Sequence, residues 1–463
     1  MTGASSRIVI VGLGPGDPDL RTVGAQRALD RADRIILRTR VHPGLDDLAS
    51  DPRVTDCDDL YERADGFDRL YPAIASRVLD AAREGGNVVF AVPGHPRFAE
   101  RAVPLIETGA HELGVAVEVQ AGVSFIDTSM NLLQIDPVAH GLQVVDAEQL
   151  AATLDRDPYA SGLLGVDPAR PLLVAQLYNA ELAAAVKLAL SRIYPDEHEI
   201  SLVHAAGALP DERIEPVALH ALDRQPVAHL SSLWVPPLAA LDAVRTADSL
   251  NRVVAQLRAP GGCPWDRKQT HASLRDSILE EAYEVVDAID ANDSAELAEE
   301  LGDLLGLISM HAQISESDGA FRIEDVYEAI NRKLIRRHPH VFGEVIAETA
   351  DAVVDVWDAV KAAERKEKGA PHSAPNPVDR LPRAMPATRK AIEILAPRTE
   401  LHAPEDAGAG HRLLETVREL IELGLDPERT LEATLRRFAD QQREGEVLVA
   451  TTGSRAETGR KGA

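Results

Sequence analysis

Cysteine and positive charge are scarce in this chain of 463 residues. Cys57 and Cys263 are the only cysteines, which excludes a disulfide framework and favours a reducing compartment. Lys and Arg number 49 against 75 Asp and Glu, so the formal net charge is −26. Phosphate backbones and anionic membranes are bound by clustered cations, so neither partner is expected. No apolar run is long enough for a membrane span, and residues 1–7 do not resemble an export signal. We therefore expect a soluble cytoplasmic protein.

Short apolar runs lead into glycine-rich turns at two places in the first hundred residues. The runs are residues 8–11 and 88–92, and the turns read GLGPGDP from Gly12 and PGHP from Pro93. Helical patterns over residues 22–32 and from about Phe98 follow the turns, and strands are expected over 34–37, 172–176, 199–204 and 233–235. This order indicates an α/β fold with ligand contact at the carboxyl ends of the strands. The alternative is that the glycines form plain tight turns.

These turns, followed by the segment 122–124 (GVS), resemble the tetrapyrrole methylase family over residues 7–237. The resemblance implies a domain of two α/β lobes, assigned to residues 1–237, with S-adenosylmethionine bound in the cleft between them. Gly94 and its neighbours would line that cleft. His95 stands where many members of the family have aspartate, and residues 22–24 also depart from the family pattern. The sequence names no methyl acceptor.

Two helix-length segments further along carry acids at matching positions. A shift of 19 residues places the apolar stripe of the first segment on that of the second. The acidic residues beside the first stripe then coincide with acidic residues beside the second. The first stripe is Ile278, Ala282, Val285, Val286 and Ile289, and the second is Leu297, Leu301, Leu304, Leu305 and Ile308. The same shift carries Glu280, Glu281 and Glu284 onto Glu299, Glu300 and Asp303.

The short turn between these segments makes the two helices antiparallel neighbours. Residues 290–292 form the turn, and Asp293 with Glu296 resembles a capping box that opens the second helix. If the stripes pack together, the carboxylates beside them converge, and converging carboxylates repel strongly enough to favour a divalent cation. The alternative is a solvated acidic helix face in an acidic chain.

Residues on both sides of the acidic helices favour a polyanionic substrate. Trp265 lies in a loop before them, where it would either pack into a core or stack on a base. Lys333, Arg336 and Arg337 share one face of a later helix pattern, which ends before the segment 338–343. Such cations also occur as a solvated helix end.

The segments 263–266 (CPWD) and 333–342, together with the acids between them, resemble the MazG family of nucleoside triphosphate pyrophosphohydrolases. The resemblance implies an all-α domain over residues 249–365, assembly as a dimer or tetramer, and dependence on Mg²⁺, with Mn²⁺ as an alternative. The implied metal ligands are Glu281, Glu284, Glu300 and Asp303. Glu280 and Glu281 are the implied catalytic acids, Glu280 orienting the attacking water. The implied substrate-binding residues are Trp265, Lys333, Arg336, Arg337 and His340.

The rest of the chain is expected to hold a second, degenerate helical repeat. Residues 365–379 have the composition of a flexible connector. The repeat is assigned to residues 380–450, and the end of this region, residues 413–438, resembles the second half of a MazG unit. Arg412 stands roughly where Asp303 would be, so this repeat should not bind metal. The tail, residues 451–463, is polar and expected to be disordered.

The sequence thus predicts a multi-domain protein: an N-terminal two-lobed α/β domain, an all-α MazG-like domain and a degenerate C-terminal helical repeat. The expected activity is Mg²⁺-dependent hydrolysis of a nucleoside triphosphate to a monophosphate and pyrophosphate by a homodimer. Two alternatives remain. One is an S-adenosylmethionine-dependent methyltransferase with a regulatory helical domain, and the other is a nucleotide-sensing scaffold without catalysis.

Overall fold

A computed structural model describes the chain in two compact units, Met1–Val326 and Tyr327–Ala463. The described residues are 6–64, 66–154, 165–347, 349–367, 381–395, 408–431, 433, 434 and 437. The division falls inside the helix Ile323–Arg337. The domain limits 1–237, 249–365 and 380–450 therefore remain predictions.

The chain begins with a parallel sheet of five strands in the order β3-β2-β4-β1-β5. The apolar runs predicted as strands form its centre. Successive residues of β1 point to opposite faces, so Ile8 and Ile10 belong to one apolar cluster and Val9 and Val11 to another. Both faces are covered, which is why these strands read as continuous apolar runs. The strands are β1 Arg7–Gly12, β2 Arg34–Leu37, β3 Val54–Asp56, β4 Asn87–Val92 and β5 Ala116–Val119.

Five helices connect these strands. The helix predicted over residues 22–32 is α1, and Thr22 caps its start by accepting a hydrogen bond from the Ala25 N–H. The helices are α1 Val23–Asp30, α2 Asp46–Ala49, α3 Asp58–Arg63, α4 Phe67–Arg83 and α5 Ala102–Leu113.

The helix expected from about Phe98 begins four residues later, so that expectation was wrong. Ala99 has φ of 54°, a left-handed conformation that no helix continues. Glu100 is buried, and its carboxylate accepts a hydrogen bond from the Ala102 N–H, the first residue of α5. A local turn held by a buried carboxylate therefore delays the start of the helix.

A second five-stranded sheet follows in the order β6-β7-β10-β8-β9, with only the β6–β7 pair parallel. The strands expected in this region are present. The edge strands β6 and β9 were not predicted from the sequence. β9 contains Pro216, which an edge strand accommodates because one side of it has no hydrogen-bonded neighbour strand. The strands are β6 Gln143–Asp146, β7 Leu172–Ala175, β8 Glu199–His204, β9 Arg213–Ala218 and β10 Ser231–Val235, and the helices are α6 Phe125–Leu133, α7 Ala147–Ala152 and α8 Ala180–Leu190.

The described chain is helical from residue 247 onwards. The helices are α9 Ala247–Arg258, α10 Arg275–Ala291, α11 Ser294–Ser317, α12 Ile323–Arg337, α13 Pro339–Phe342, α14 Ala350–Glu367, α15 Ala387–Leu395 and α16 Ala409–Glu422. In the described ranges, none of the helices combines the length and the apolar character needed to cross a bilayer.

The predicted antiparallel hairpin of acidic helices is α10 and α11. Asn292 adopts the left-handed conformation that ends α10, and the Asp293 carboxylate accepts hydrogen bonds from the Ala295 and Glu296 N–H groups at the start of α11. The hairpin packs on α9 through Val254, Met310 and other members of a small core cluster. A short turn with a left-handed residue therefore fixes the register of the two helices.

The two apolar stripes are less buried than their packing together would require. Ile289 is 53% exposed and Leu305 is 54% exposed, and Val286, Leu301 and Ile308 are also exposed. The expectation that the stripes bury each other was therefore wrong for these positions. In the described part of unit one, the buried hairpin residues that pack with Val254 of α9 are Met310 and Ile314. In that part of the chain, the exposed side chains of α10 and α11 form an apolar face in contact with solvent.

The predicted second repeat is described only in part. Helices α15 and α16 pack through a small cluster that includes Ala391 and Val417. Residues 435, 436 and 438–463 lie outside the described part of the chain, so the expectations for them stay predictions.

Candidate metal and substrate sites

Three carboxylates from the hairpin converge. Glu281 and Glu284 are one turn apart on α10, Glu300 lies on α11, and one oxygen from each lies within 4.8 Å of the others. The antiparallel pairing of the helices brings these acids to the same level. Asp303, the fourth predicted ligand, is outside this group of three but one turn from Glu300 on the same helix.

The electrostatics of the cluster show that its acids interact. Partial burial, together with repulsion from Glu284 and Asp303, raises the pKa of Glu281 above its ordinary value of 4.5. Partial burial and the charges of Glu284, Glu296 and Glu281 raise the pKa of Glu300 in the same way. The charge of Asp303 acts on both groups. The raised pKa values of Glu281 and Glu300 therefore share Glu284 and Asp303 among their causes.

The raised pKa values set the direction of the pH dependence. A carboxyl whose pKa is higher in the folded than in the unfolded state stabilises the fold while it is protonated. This contribution is complete below the ordinary value of 4.5 and is lost as the pH rises through the raised folded values. At neutral pH the metal-free cluster therefore holds unrelieved repulsion.

The donor set fits a hard divalent cation. All three groups offer carboxylate oxygens, which Mg²⁺ and Mn²⁺ prefer, and their mutual repulsion would be relieved by a cation between them. Glu280, the predicted water-orienting acid, is exposed next to the cluster, and its charge also raises the pKa of Glu281. Glu299 is exposed on α11.

Trp265 is 64% exposed, so it does not pack into a core. It precedes a short 3-10 helix, Asp266–Lys268, and its carbonyl accepts a hydrogen bond from the Gln269 side chain. The exposure of the Trp265 ring is compatible with stacking on a base and not with packing into a core.

The predicted phosphate-binding cations lie in the second unit. Arg336 and Arg337, in the last turn of α12, both form ion pairs with Glu364 of α14. Lys333 is exposed one turn earlier, and His340 lies in α13 with its ring 5.6 Å from that of His338. Sequence analysis missed Glu364, because an acid in a helix rich in charged residues carries no distinguishing signal.

Gly94 lies at the junction of the two glycine-rich turns. Its N–H donates to the Gly14 carbonyl and its carbonyl accepts from the Gly14 N–H. A side chain at Gly12 would place its Cβ 2.2 Å from the Gly94 carbonyl oxygen, so the close approach requires glycine there. At Gly94 itself φ is 64°, and a Cβ would meet open space. The turns therefore hold a backbone cradle open on one side.

The open side of Gly94 faces a cavity of about 150 Å³. An adjoining cavity of about 970 Å³ shares Arg38, His42 and Phe98 with it. His95 does not line either cavity, and its Nδ1 accepts a hydrogen bond from the Arg97 N–H within its own turn. The space beside the glycine backbone is of the kind that a bound cofactor occupies.

The fold and the acidic site together define a class of protein: an α/β methylase-like domain joined to a helical domain with a carboxylate cluster. Family profiles match both parts, tetrapyrrole (corrin/porphyrin) methylases over residues 7–223 and the MazG nucleotide pyrophosphohydrolase domain over residues 269–342.

Relatives extend the match over most of the chain. A Bacillus subtilis protein, known as uncharacterized protein YabN, is 38% identical over 84% of this chain and 76% of its own length. The nucleoside triphosphate pyrophosphohydrolase/pyrophosphatase MazG of Thermotoga maritima is 34% identical over 44% of this chain and 88% of its own length. The chain belongs to the MazG family and carries an N-terminal tetrapyrrole methylase domain.

A solved structure also resembles the N-terminal region. It is a uroporphyrin-III C-methyltransferase from Thermus thermophilus complexed with S-adenyl homocysteine, with 25% identity and a TM-score of 0.38 over 50% of this chain and 97% of that one.

Proposed function

We propose that this protein is a Mg²⁺-dependent nucleoside triphosphate pyrophosphohydrolase. The observation that carries the proposal is the convergence of Glu281, Glu284 and Glu300 within 4.8 Å. The membership in the MazG family supports it, since relatives bear the name of this activity.

The proposed roles follow from residue chemistry. Glu281, Glu284 and Glu300 would hold the metal with Asp303, which adds charge from the neighbouring turn. Bound Mg²⁺ would supply Lewis-acid chemistry and neutralise negative charge on the phosphates. Glu280 would orient the attacking water and accept its proton, and Trp265 would stack on the base of the nucleotide. Lys333, Arg336, Arg337 and His340 are the proposed phosphate-binding residues, because Arg and Lys donate hydrogen bonds to phosphate oxygens.

Attack at the α-phosphorus predicts which products form. Incubation with a nucleoside triphosphate and Mg²⁺ is expected to release monophosphate and pyrophosphate in equal amounts, without orthophosphate as an initial product. Anion-exchange chromatography of early time points checks this, with protein lacking added Mg²⁺ as the control. Diphosphate and orthophosphate as the first products would overturn the proposed reaction.

A homodimer of this chain is part of the proposal. The support for it is the exposed apolar face of α10 and α11, which includes Ile289, Leu301 and Leu305. Contiguous exposed apolar side chains on packed helices indicate association with another surface. We place the protein in the cytoplasm, where nucleoside triphosphates are abundant and the two thiols would stay reduced.

S-adenosylmethionine binding is a second proposal, favoured by the open backbone cradle at Gly94. Calorimetric titration with S-adenosylmethionine is expected to show saturable binding that Gly94→Val weakens at least about tenfold, because a branched side chain would enter the cavity and is strained at positive φ. Equal affinity of the parent and the variant, or no heat of binding to the parent, would contradict a ligand site at Gly94.

A further inference from the structure

One carboxylate holds two arginines at the end of α12. Glu364 Oε1 lies 2.7 Å from Arg336 Nη2, and Glu364 Oε2 lies 2.8 Å from Arg337 Nη2. Arg337 also donates from Nε to Oε1 at 3.2 Å, so its guanidinium meets the carboxylate through two parallel hydrogen bonds. Glu364 is buried, and both of its oxygens are used. The arrangement is a carboxylate placed between two cations.

The three groups together keep a positive surplus. Two guanidinium groups and one carboxylate leave a net charge of +1, and only some of the five N–H donors of each arginine are directed at Glu364. The Arg336 side chain is 51% exposed, and the Arg337 side chain is 28% exposed. The remaining donors of Arg336 are thus accessible to an anion, while the side chain is held in one orientation.

The surrounding contacts fix Glu364 in place. Trp357, two turns earlier on α14, meets the ring of His338 edge-on at 5.3 Å, so α14 is packed against the residues that follow α12. The hydrogen bonds from Arg337, and the charges of both arginines, lower the pKa of Glu364 to about 2. The carboxylate is therefore ionised throughout the pH range in which the enzyme would work.

We propose that Glu364 is a positioning residue that aligns Arg336 and Arg337 as a paired receptor for the oxygens of a diphosphate group. The inference rests on the proposed function, in which these arginines bind substrate phosphates. Two guanidinium groups this close repel each other, and without a carboxylate between them they would turn apart. Binding two adjacent phosphates needs both groups held at once, because freezing two long side chains on binding costs conformational entropy.

Replacing Glu364 tests the proposal, because the two possible roles of this residue predict opposite changes in anion affinity. Glu364→Gln removes one negative charge and makes the receptor more positive. If Glu364 only compensates charge, or blocks the arginines, the variant binds anions more tightly than the parent. If Glu364 positions the arginines, the variant binds anions more weakly than the parent.

The experiment measures the affinity of the full-length protein for inorganic pyrophosphate by calorimetry without metal, and KM and kcat for hydrolysis with Mg²⁺. Glu364→Gln is expected to weaken pyrophosphate binding and to raise KM by about tenfold. This is the lower end of the range for losing a hydrogen-bond partner that orients a metal ligand, and Glu364 would orient the arginines in the same way. kcat is expected to change less than KM. Glu364→Asp, which keeps the charge, should lie between the parent and Glu364→Gln.

The matched control is Glu328→Gln, which breaks an exposed ion pair with Arg332 on the same helix as the two arginines. It should leave pyrophosphate affinity and KM unchanged. Circular dichroism melts of all variants identify any that fail to fold, and Glu364→Asp then carries the test. Unchanged or tighter pyrophosphate binding by a folded Glu364 variant overturns the proposal. A parent that binds pyrophosphate but hydrolyses no triphosphate contradicts the proposed function and leaves the positioning role supported by the calorimetry.

Discussion

Glu300→Gln is expected to lower the rate of triphosphate hydrolysis by at least about 100-fold, since losing a mere supporting partner of a metal ligand already costs 10–100-fold. Glu300 is the one member of the close carboxylate cluster that α11 supplies. Glutamine keeps the size of the side chain but loses the charge that the cation requires. Steady-state rates at saturating Mg²⁺ provide the measurement.

The same variant should leave the metal-free protein at least as stable as the parent. The raised pKa of Glu300 shows that its ionised form is disfavoured by partial burial and by neighbouring acids, so removing the charge relieves repulsion at neutral pH. Added Mg²⁺ should raise the melting temperature of the parent, because a ligand that binds only the folded state stabilises it by mass action. The melting temperature of Glu300→Gln should respond much less.

The control for this prediction is Glu316→Gln, the same chemical change further along α11, in a residue that pairs with Arg322. It should hydrolyse the substrate at the parental rate and respond to Mg²⁺ as the parent does. A Glu300→Gln protein with full Mg²⁺-dependent turnover would end the metal-site hypothesis and restore the solvated-face interpretation of these acids.

Glu100→Ala is expected to destabilise the protein by about 3 kcal/mol, the range for removing one partner of a buried ion pair. Glu100 Oε2 lies 3.1 Å from Arg38 Nε, and the two side chains are 3% and 19% exposed. Arginine cannot lose its proton to escape burial, so the variant leaves an uncompensated charge beside the cavity of the N-terminal lobes. Urea unfolding followed by circular dichroism measures the free energy of unfolding.

Two further variants separate burial of charge from loss of contacts. Arg38→Met with Glu100→Leu replaces the pair by apolar groups of similar volume and should recover most of the lost stability. Glu84→Ala removes a partner of Arg34 from an exposed pair and should cost only about 0–1 kcal/mol. If Glu100→Ala were as mild as Glu84→Ala, the buried pair would carry no special penalty.

Local patterns were enough to predict the acidic hairpin. Helical periodicity places Glu281 and Glu284 on one face, a short turn with Asp293 pairs the helices, and the matching acid on the next helix is Glu300. Each of these predictions depends on residues that are close in sequence, so each can be made without knowledge of the rest of the fold. The three central strands of the first sheet, β1, β2 and β4, could be predicted for a similar reason, because strands buried on both faces are continuous apolar runs.

Other features depend on residues far apart in the chain. Glu364 meets Arg336 and Arg337 across 27 or 28 positions, and Arg38 meets Glu100 across 62, so no spacing rule could pair them. The edge strands of both sheets, β3, β5, β6 and β9, were missed because an edge strand lacks the long apolar run of a central one.

The amino-acid sequence by itself determined the class of each domain and the chemistry of the acidic cluster, since periodicity, turn residues and acid spacing act over one or two turns of helix. Tertiary structure alone decided which side chains became buried partners and which apolar faces stayed open. Ile289 and Leu305 show the difference: their spacing marks them as apolar stripe residues, but their exposure depends on how many neighbours the hairpin has. Burial depends on every element that packs nearby, and that information is not local to any stretch of chain.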